Sequence, residues 1–203
     1  MPAPRAEPPS DGRREAFDAR VRSLLAQGRI DETTELLLRE YGGELLGFLH
    51  GTMSHPQDAD DAFSLLAAAL WRSLPSFEWR SSLRTWLYVL ARRAMSRVHR
   101  GQSRDELLPR PSAIDRLVDE TRATSLPQLA AVREGLAGLR ARLEPDDQIL
   151  LVLRVDRELP WRDIAEVLAD DGVDPDRLSA SLRKRFERIK ARIRALAHEA
   201  GLA

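Results

Sequence analysis

The sequence predicts an all-α protein made of two small helical domains joined by a flexible linker. Apolar residues recur at intervals of three and four in several long segments, and no alternating run of useful strand length occurs. The apolar content of 43% over 203 residues is enough to build real hydrophobic cores. A stretch that contains Gly, Pro and Ser separates the two helix-rich parts.

These patterns divide the chain into five predicted segments. In chain order they are a disordered tail (1–13), an additional N-terminal helix (14–29), a first helical domain (30–100), a linker (101–126) and a second helical domain (127–203).

Periodicity and capping residues predict the helices of the first domain. After the N-terminal helix, a second helix runs from Asp31 to about Met53 and a third begins near Pro56 and continues through Trp71. A fourth helix starts at Ser81 or Ser82 and ends near residue 100. The second helix carries one apolar face, made of Leu37, Tyr41, Leu45, Phe48 and Leu49.

The second domain contains a predicted helix-turn-helix. A short amphipathic helix begins at Pro160, and the pair Asp174-Pro175 starts a longer helix that reaches about His198. An apolar stripe on the longer helix faces inward and is formed by Leu178, Leu182, Phe186, Ile189, Ile193 and Leu196. A basic second helix of this kind can lie in the major groove of DNA, and a helical hairpin with a solvated basic face is the alternative.

Charge is segregated along the chain although the formal net charge is zero. Residues 72–100 contain seven arginines and one acid, and residues 176–196 contain eight bases and two acids, so each block has a net charge of +6. Two basic surfaces on a neutral protein are compatible with a nucleic-acid partner.

Aromatic rings and arginines surround one short loop between residues 70 and 93. Exposed rings can stack on unpaired bases, and guanidinium groups neutralise phosphates. An apolar helix face flanked by solvated arginines is the alternative interpretation of the same composition.

The order of residues in this segment closely resembles the promoter-melting region of bacterial sigma factors of the small extracytoplasmic-function class, within the sigma-70 family. The residues that carry the resemblance are Leu70-Trp71, then Pro75-Ser76-Phe77, and then Ser81-Ser82-Leu83-Arg84-Thr85-Trp86-Leu87-Tyr88. The second domain resembles the C-terminal domain of the same family through residues 148–154 and 159–165. The resemblance covers roughly residues 30 to 200.

This resemblance implies a protein that binds core RNA polymerase and directs it to promoters. The first domain would melt the minus-ten element, and the helix-turn-helix would read the minus-thirty-five element. The implied DNA contacts are Trp79, Arg80, Ser81, Ser82, Arg84, Trp86, Arg92, Arg93 and Arg97 in the first domain, and Arg177, Ser181, Lys184, Arg185 and Arg188 in the second.

The sequence departs from the family pattern at several places, including Ser64-Leu65 where the family has a polar pair, and Arg177 and Ala180 where it has threonine and serine. Trp79 stands where the family often has glycine, and Arg80 where it often has an acid. The turn between the two helices of the helix-turn-helix is about three residues longer than usual, as judged from its length after Leu168.

The resemblance also places a polymerase-docking surface on the third helix. Its residues are Asp58, Asp60, Asp61, Leu65 and Trp71. The three acids would cap the positive end of the helix as well. Magnesium bound by these carboxylates is a weaker alternative, since the sequence shows neither a phosphate cradle nor a second acidic motif.

Several other functions are not expected. The chain has no cysteine and four histidines in unsuitable positions, so we expect no metal site, no cofactor and no catalytic constellation. No apolar run reaches the ~20 residues of a membrane span, and a cytoplasmic location is expected. Three alternatives to a sigma factor remain, namely a helical polymerase-binding protein that does not initiate transcription, a helix-turn-helix repressor and a metal- or nucleotide-dependent enzyme. The resemblance also allows an anti-sigma protein as a partner.

Overall fold

The computed structural model describes residues 11–101, 111–133, 142–169 and 173–199, and no strand occurs among them. The predicted all-α class is confirmed. The helices, in chain order, are α1 (Asp11–Ala26), α2 (Ile30–Thr52), α3 (Pro56–Ser73), α4 (Leu83–His99), α5 (Ser112–Arg133), α6 (Pro145–Leu151), α7 (Trp161–Leu168) and α8 (Pro175–Glu199).

The helix ends follow the predicted signals. Gly28, with a φ of 71°, lies in the turn after α1, where a left-handed backbone suits glycine. Pro56 lies at the first turn of α3, and the hydroxyl of Ser82 accepts a hydrogen bond of 3.0 Å from the backbone N–H of Thr85 at the start of α4. Helix α1 begins at Asp11, three residues before the predicted start, and residues 1–10 of the predicted tail lie outside the described residues.

Helix α2 is the centre of the first half of the molecule. It packs against α1, α3, α4 and α5. The predicted apolar face is confirmed, since Leu37, Leu45, Phe48 and Leu49 are all 1% exposed or less. Their burial requires partners on more than one side of α2, and the surrounding helices supply them.

The prediction of a linker without regular structure is wrong for residues 112–126, which belong to α5. Ile114, Leu117 and Val118 are buried against the neighbouring helices, and Ser125 is 7% exposed. These residues recur at intervals of three, one and seven, which is the spacing of one helical face. Residues 102–110 of the predicted linker lie outside the described part of the chain.

In the second half, α7 and α8 are the two helices of the predicted helix-turn-helix. Leu182, Ile189 and Leu196 are buried, and Trp161 of α7 packs edge-on against Phe186 of α8 with ring centroids 5.5 Å apart. Helix α6 leads into a π-helical turn at Val152–Asp156 and also packs against α8. Most of the unusually long turn predicted after Leu168 falls on residues 170–172, outside the described residues.

The two halves touch along α4 and α7. The hydroxyl of Thr85 donates a hydrogen bond of 2.7 Å to the carboxylate of Asp163. Ile164 and Ala165 of α7 are fully buried and belong to the same hydrophobic cluster as the core around α2. The start of α4 is therefore part of the contact between the two predicted domains.

Close approach of α2 and α5 depends on a glycine. A Cβ atom at Gly42 would lie 3.2 Å from Cγ2 of Thr121 and 3.6 Å from the Phe63 ring. Gly42→Leu should therefore lower the free energy of unfolding by about 1–3 kcal/mol through overpacking. Gly43 is exposed, so Gly43→Ala should instead raise it by up to about 1 kcal/mol through helix propensity. Urea unfolding measures both, and equal stabilities of the two variants would contradict this packing.

Candidate nucleic-acid interface

Three aromatic rings form a row in the loop before α4. The rings of Phe77 and Trp86 stack with centroids 4.4 Å apart, and Trp79 lies 4.9 Å from Phe77 at an interplanar angle of 48°. A 3₁₀ turn at Leu74–Ser76 starts the loop and Ser82 ends it as the N-cap of α4. All three rings are partly buried, so each keeps an accessible portion at the surface.

The backbone of Trp79 is in the left-handed region, with a φ of 57°. This conformation costs a non-glycine residue roughly 1–2 kcal/mol. It explains why glycine suits this position in the resembling family, and it shows that the surrounding contacts hold the tryptophan in place. The Arg80 side chain is 85% exposed and pairs with Glu78 at 2.8 Å.

Arg84, predicted to contact phosphate, lies within an internal polar network. It is bonded to Glu44 of α2 from both Nε (2.8 Å) and Nη2 (2.6 Å), and it donates to the Arg157 carbonyl at 2.9 Å. The hydroxyl of Tyr88 donates to the same Glu44 oxygen at 2.6 Å. In this structure the charge of Arg84 is thus compensated by a carboxylate from another helix.

The remaining predicted arginines of the first half lie further along α4. Arg93 and Arg97 line a cavity of about 540 Å³ between α3 and α4, together with Arg72 and Leu65. Arg92 lies on the same helix and is partly exposed. This side of α4 is basic, separate from the aromatic row, and open at the surface.

The predicted polymerase-docking acids lie at the start of α3 and are all partly exposed. Asp60 contacts Nε2 of His50 at 3.0 Å, and its backbone carbonyl accepts a hydrogen bond from Arg122 of α5. Arg122 also donates to Ser64 at 2.7 Å. Sequence reasoning missed Arg122 because it lies in the segment predicted as a linker.

Two apolar residues of the predicted docking surface are placed differently from each other. Leu65 is only 1% exposed, so a partner would reach it solely through the cavity between α3 and α4. Trp71 is partly exposed, and its indole N–H donates to Asp31 of α2 at 2.8 Å.

Helix α8 presents most of its predicted DNA contacts to solvent. Four of the five side chains are exposed, and they are Arg177, Ser181, Lys184 and Arg188. Arg185 is different because its Nε donates to Asp147 of α6 at 2.5 Å. It joins α6 to α8 in this structure, while the other four share a face that leaves the apolar stripe on the inner side.

The described residues contain no group of three or more metal-ligating side chains. Among the same residues, no helix is long and apolar enough to cross a membrane.

Tyr41, near Glu44, should make the stability of the protein depend on pH in the alkaline range. Burial, followed by the nearby carboxylates of Asp18, Glu40 and Glu44, raises the pKa of Tyr41 from 10.0 to about 12. The folded state therefore favours the neutral phenol, and this contribution to stability is complete below pH 10 and is lost as the pH rises to about 12.

Urea unfolding at several pH values tests this linkage. Between pH 10 and 12 the wild-type protein should lose stability more steeply than Tyr41→Phe, which keeps the ring that packs edge-on against Phe17. Identical pH dependence of the two proteins would show that Tyr41 is not perturbed by folding.

Two comparisons with known proteins show what this chain is similar to. Residues 37–105 match the Sigma-70 region 2 family and include the aromatic row and all of α3 and α4. RNA polymerase sigma factor YlaC of Bacillus subtilis is 28% identical to this chain over 142 residues, which cover 68% of this chain and 80% of that protein. The resemblance stated from the sequence is confirmed, since residues 37–105 match Sigma-70 region 2 and the chain is similar to an RNA polymerase sigma factor.

Proposed function

We propose that this protein is a sigma factor that binds core RNA polymerase, opens promoter DNA at the minus-ten element with its first half and reads the minus-thirty-five element with α7 and α8. The observation that carries the proposal is the row formed by Phe77, Trp79 and Trp86 at the start of α4. It lies inside the segment that matches sigma-70 region 2.

The aromatic row has the chemistry that strand opening requires. An unpaired base that leaves the duplex loses a few kcal/mol of stacking and pairing, and stacking on an aromatic side chain returns about 1–3 kcal/mol. Arg80, exposed beside Trp79, and the basic side of α4 are placed to neutralise phosphates of the separated strand. The hydroxyl of Ser82 already caps α4, so its contribution is to orient the helix start.

For polymerase docking we propose the first turns of α3 with the cavity beside it. Asp58 and Asp61 are the acids best placed for a basic partner surface, since Asp60 is engaged by His50. Trp71, at the far end of the same helix, keeps an accessible part of its ring.

Reading two promoter elements requires the two halves to separate. In this structure Thr85 of α4 and Asp163 of α7 are hydrogen-bonded, so the half that we propose for the minus-ten element is docked on the half that we propose for the minus-thirty-five element. One turn of B-DNA is about 34–36 Å long, so two elements more than a turn apart call for two halves that can move away from each other. We therefore propose that α7 leaves α4 when the protein engages the promoter.

The proposed role involves no bond chemistry, and we propose that the protein is not an enzyme. It would act in the cytoplasm, where RNA polymerase works, and an anti-sigma protein would be an additional partner. A repressor would bind duplex promoter DNA unaided, whereas a sigma factor needs core polymerase, so binding with and without the polymerase separates these two functions.

Strand opening by the holoenzyme tests the aromatic row. Trp79→Ala should slow opening of a fully paired promoter, because the extruded base loses a stacking surface, while formation of the closed complex remains nearly unchanged. Permanganate reactivity of unpaired thymines measures the opening. A promoter with a mismatched bubble is the control, since its bases are already unpaired and the variant should recover. Equal opening of fully paired DNA by the wild-type and Trp79→Ala holoenzymes would contradict this role for Trp79.

Alanine substitutions on α8 test the second DNA surface. Arg177→Ala, Lys184→Ala and Arg188→Ala should each reduce promoter-specific initiation. Loss of a base contact should weaken the binding free energy by about 1–3 kcal/mol, and loss of a phosphate contact should lower the slope of log affinity against log salt concentration by about one. Arg183→Ala is the matched control. Arg183 is exposed on the same helix, but it lies about 100° around the helix axis from Lys184 and therefore on another side. If the control behaves like the three variants, this face does not read DNA.

A further inference from the structure

Helix α1 lies outside the residues that match sigma-70 region 2, yet it forms part of the surface around the aromatic row. A cavity of about 540 Å³ separates α1 from the loop. Its walls include Arg22, Leu25 and Ile30 on one side and Leu74, Phe77 and Trp79 on the other. This volume is in the range of sites that hold small organic groups.

Arg22 extends the aromatic row by a cation. The centre of its guanidinium group lies 4.2 Å from the centroid of the Trp79 ring, a cation–π contact. Along the surface the order is thus Trp86, Phe77, Trp79 and then Arg22. Both an indole ring and a guanidinium plane can stack on an unpaired base.

The anchoring of α1 does not require Arg22. Val21 and Leu24 are 0% and 8% exposed and hold the helix against the core, whereas Arg22 is exposed. Arg22 and Leu25 are three positions apart, so they share the side of α1 that faces the cavity. This side combines an apolar wall with a positive charge.

The left-handed backbone of Trp79 indicates that its ring is held in place by the contacts around it. Two of these contacts come from Phe77 and Arg22. An occupant of the cavity would therefore meet a positioned aromatic ring, apolar walls and a guanidinium group. A nucleobase on a phosphate chain combines the flat, aromatic and anionic properties that these walls complement.

On the basis of the proposed function, in which an unpaired base stacks on the aromatic row, we propose that Arg22 of α1 is a further residue of that base site and that the base lies in this cavity. The base takes the face of Trp79 that Arg22 covers in the free protein. The guanidinium group swings outward and closes over the base. Base selection by this protein then depends on a helix that lies outside the family match.

The test uses the full-length protein bound to core RNA polymerase and a short single-stranded oligonucleotide with the non-template minus-ten sequence. An abasic site replaces each base in turn, and affinities are measured for wild type and Arg22→Ala. With the intact oligonucleotide, Arg22→Ala should weaken binding on the order of fivefold to tenfold. At one position the abasic site should weaken wild-type binding, while Arg22→Ala adds no further loss there.

Such non-additivity at a single position identifies the base that Arg22 contacts, and a purely structural role of α1 would not produce it. Arg20→Ala is the matched control, since Arg20 is exposed on α1 about 200° around the helix from Arg22, and it should bind like wild type. Arg22→Lys, which keeps the charge, should recover part of the affinity. Equal thermal stability of the variants confirms that α1 stays folded.

Two failures are distinguishable. If the wild-type holoenzyme opens its promoter but the losses from Arg22→Ala and from the abasic sites add at every position, the base site at α1 is overturned and the proposed function stands. If the wild-type protein with core polymerase neither binds the strand nor opens the promoter, the proposed function fails and this inference fails with it.

Discussion

The carboxylate of Glu44 is the interaction on which the arrangement of this molecule depends. It accepts hydrogen bonds from Arg84 and Tyr88, and so joins α2 to α4 inside the protein. Removing one partner from such a site leaves a buried charge or hydroxyl without compensation, which is more costly than the bond itself. Because Arg84 also donates to the carbonyl of Arg157, the same network reaches the second half of the chain.

The position of the aromatic row follows from this network. The row lies directly before α4. Ser82 caps this helix by accepting a hydrogen bond from the backbone N–H of Thr85, and Glu44 holds the first turn through Arg84. Asp163 of α7 binds the hydroxyl of Thr85 at the same helix start. One end of α4 therefore carries two surfaces, one that holds the second half of the free protein and one that we propose for unpaired DNA.

The long helices with strong apolar periods could be predicted from the sequence, and α2 and α8 bury the residues expected of them. Helix α5 was not predicted, because Ile114, Leu117 and Val118 follow a Pro- and Ser-containing stretch and the next seven residues are mostly polar. The pairing of Arg84 and Arg185 was also beyond the sequence. Their carboxylate partners are 40 and 38 positions away, and helical periodicity carries no information on which helices meet. The contact between Arg22 and Trp79 escaped prediction for the same reason.

We propose that the two halves, which are docked at α4 in the free protein, separate on the promoter. Since the chain has no cysteine, His99→Cys on α4 and Ala180→Cys on α8, both at exposed positions, provide two unique sites for spin labels. In the free protein we expect a single distribution of distances between the two spin labels, centred at a short distance. In the complex with core polymerase and promoter DNA, the distance should increase by an amount on the order of one DNA turn, about 34 Å. The same distance distribution in both states would show that the two halves do not separate on the promoter.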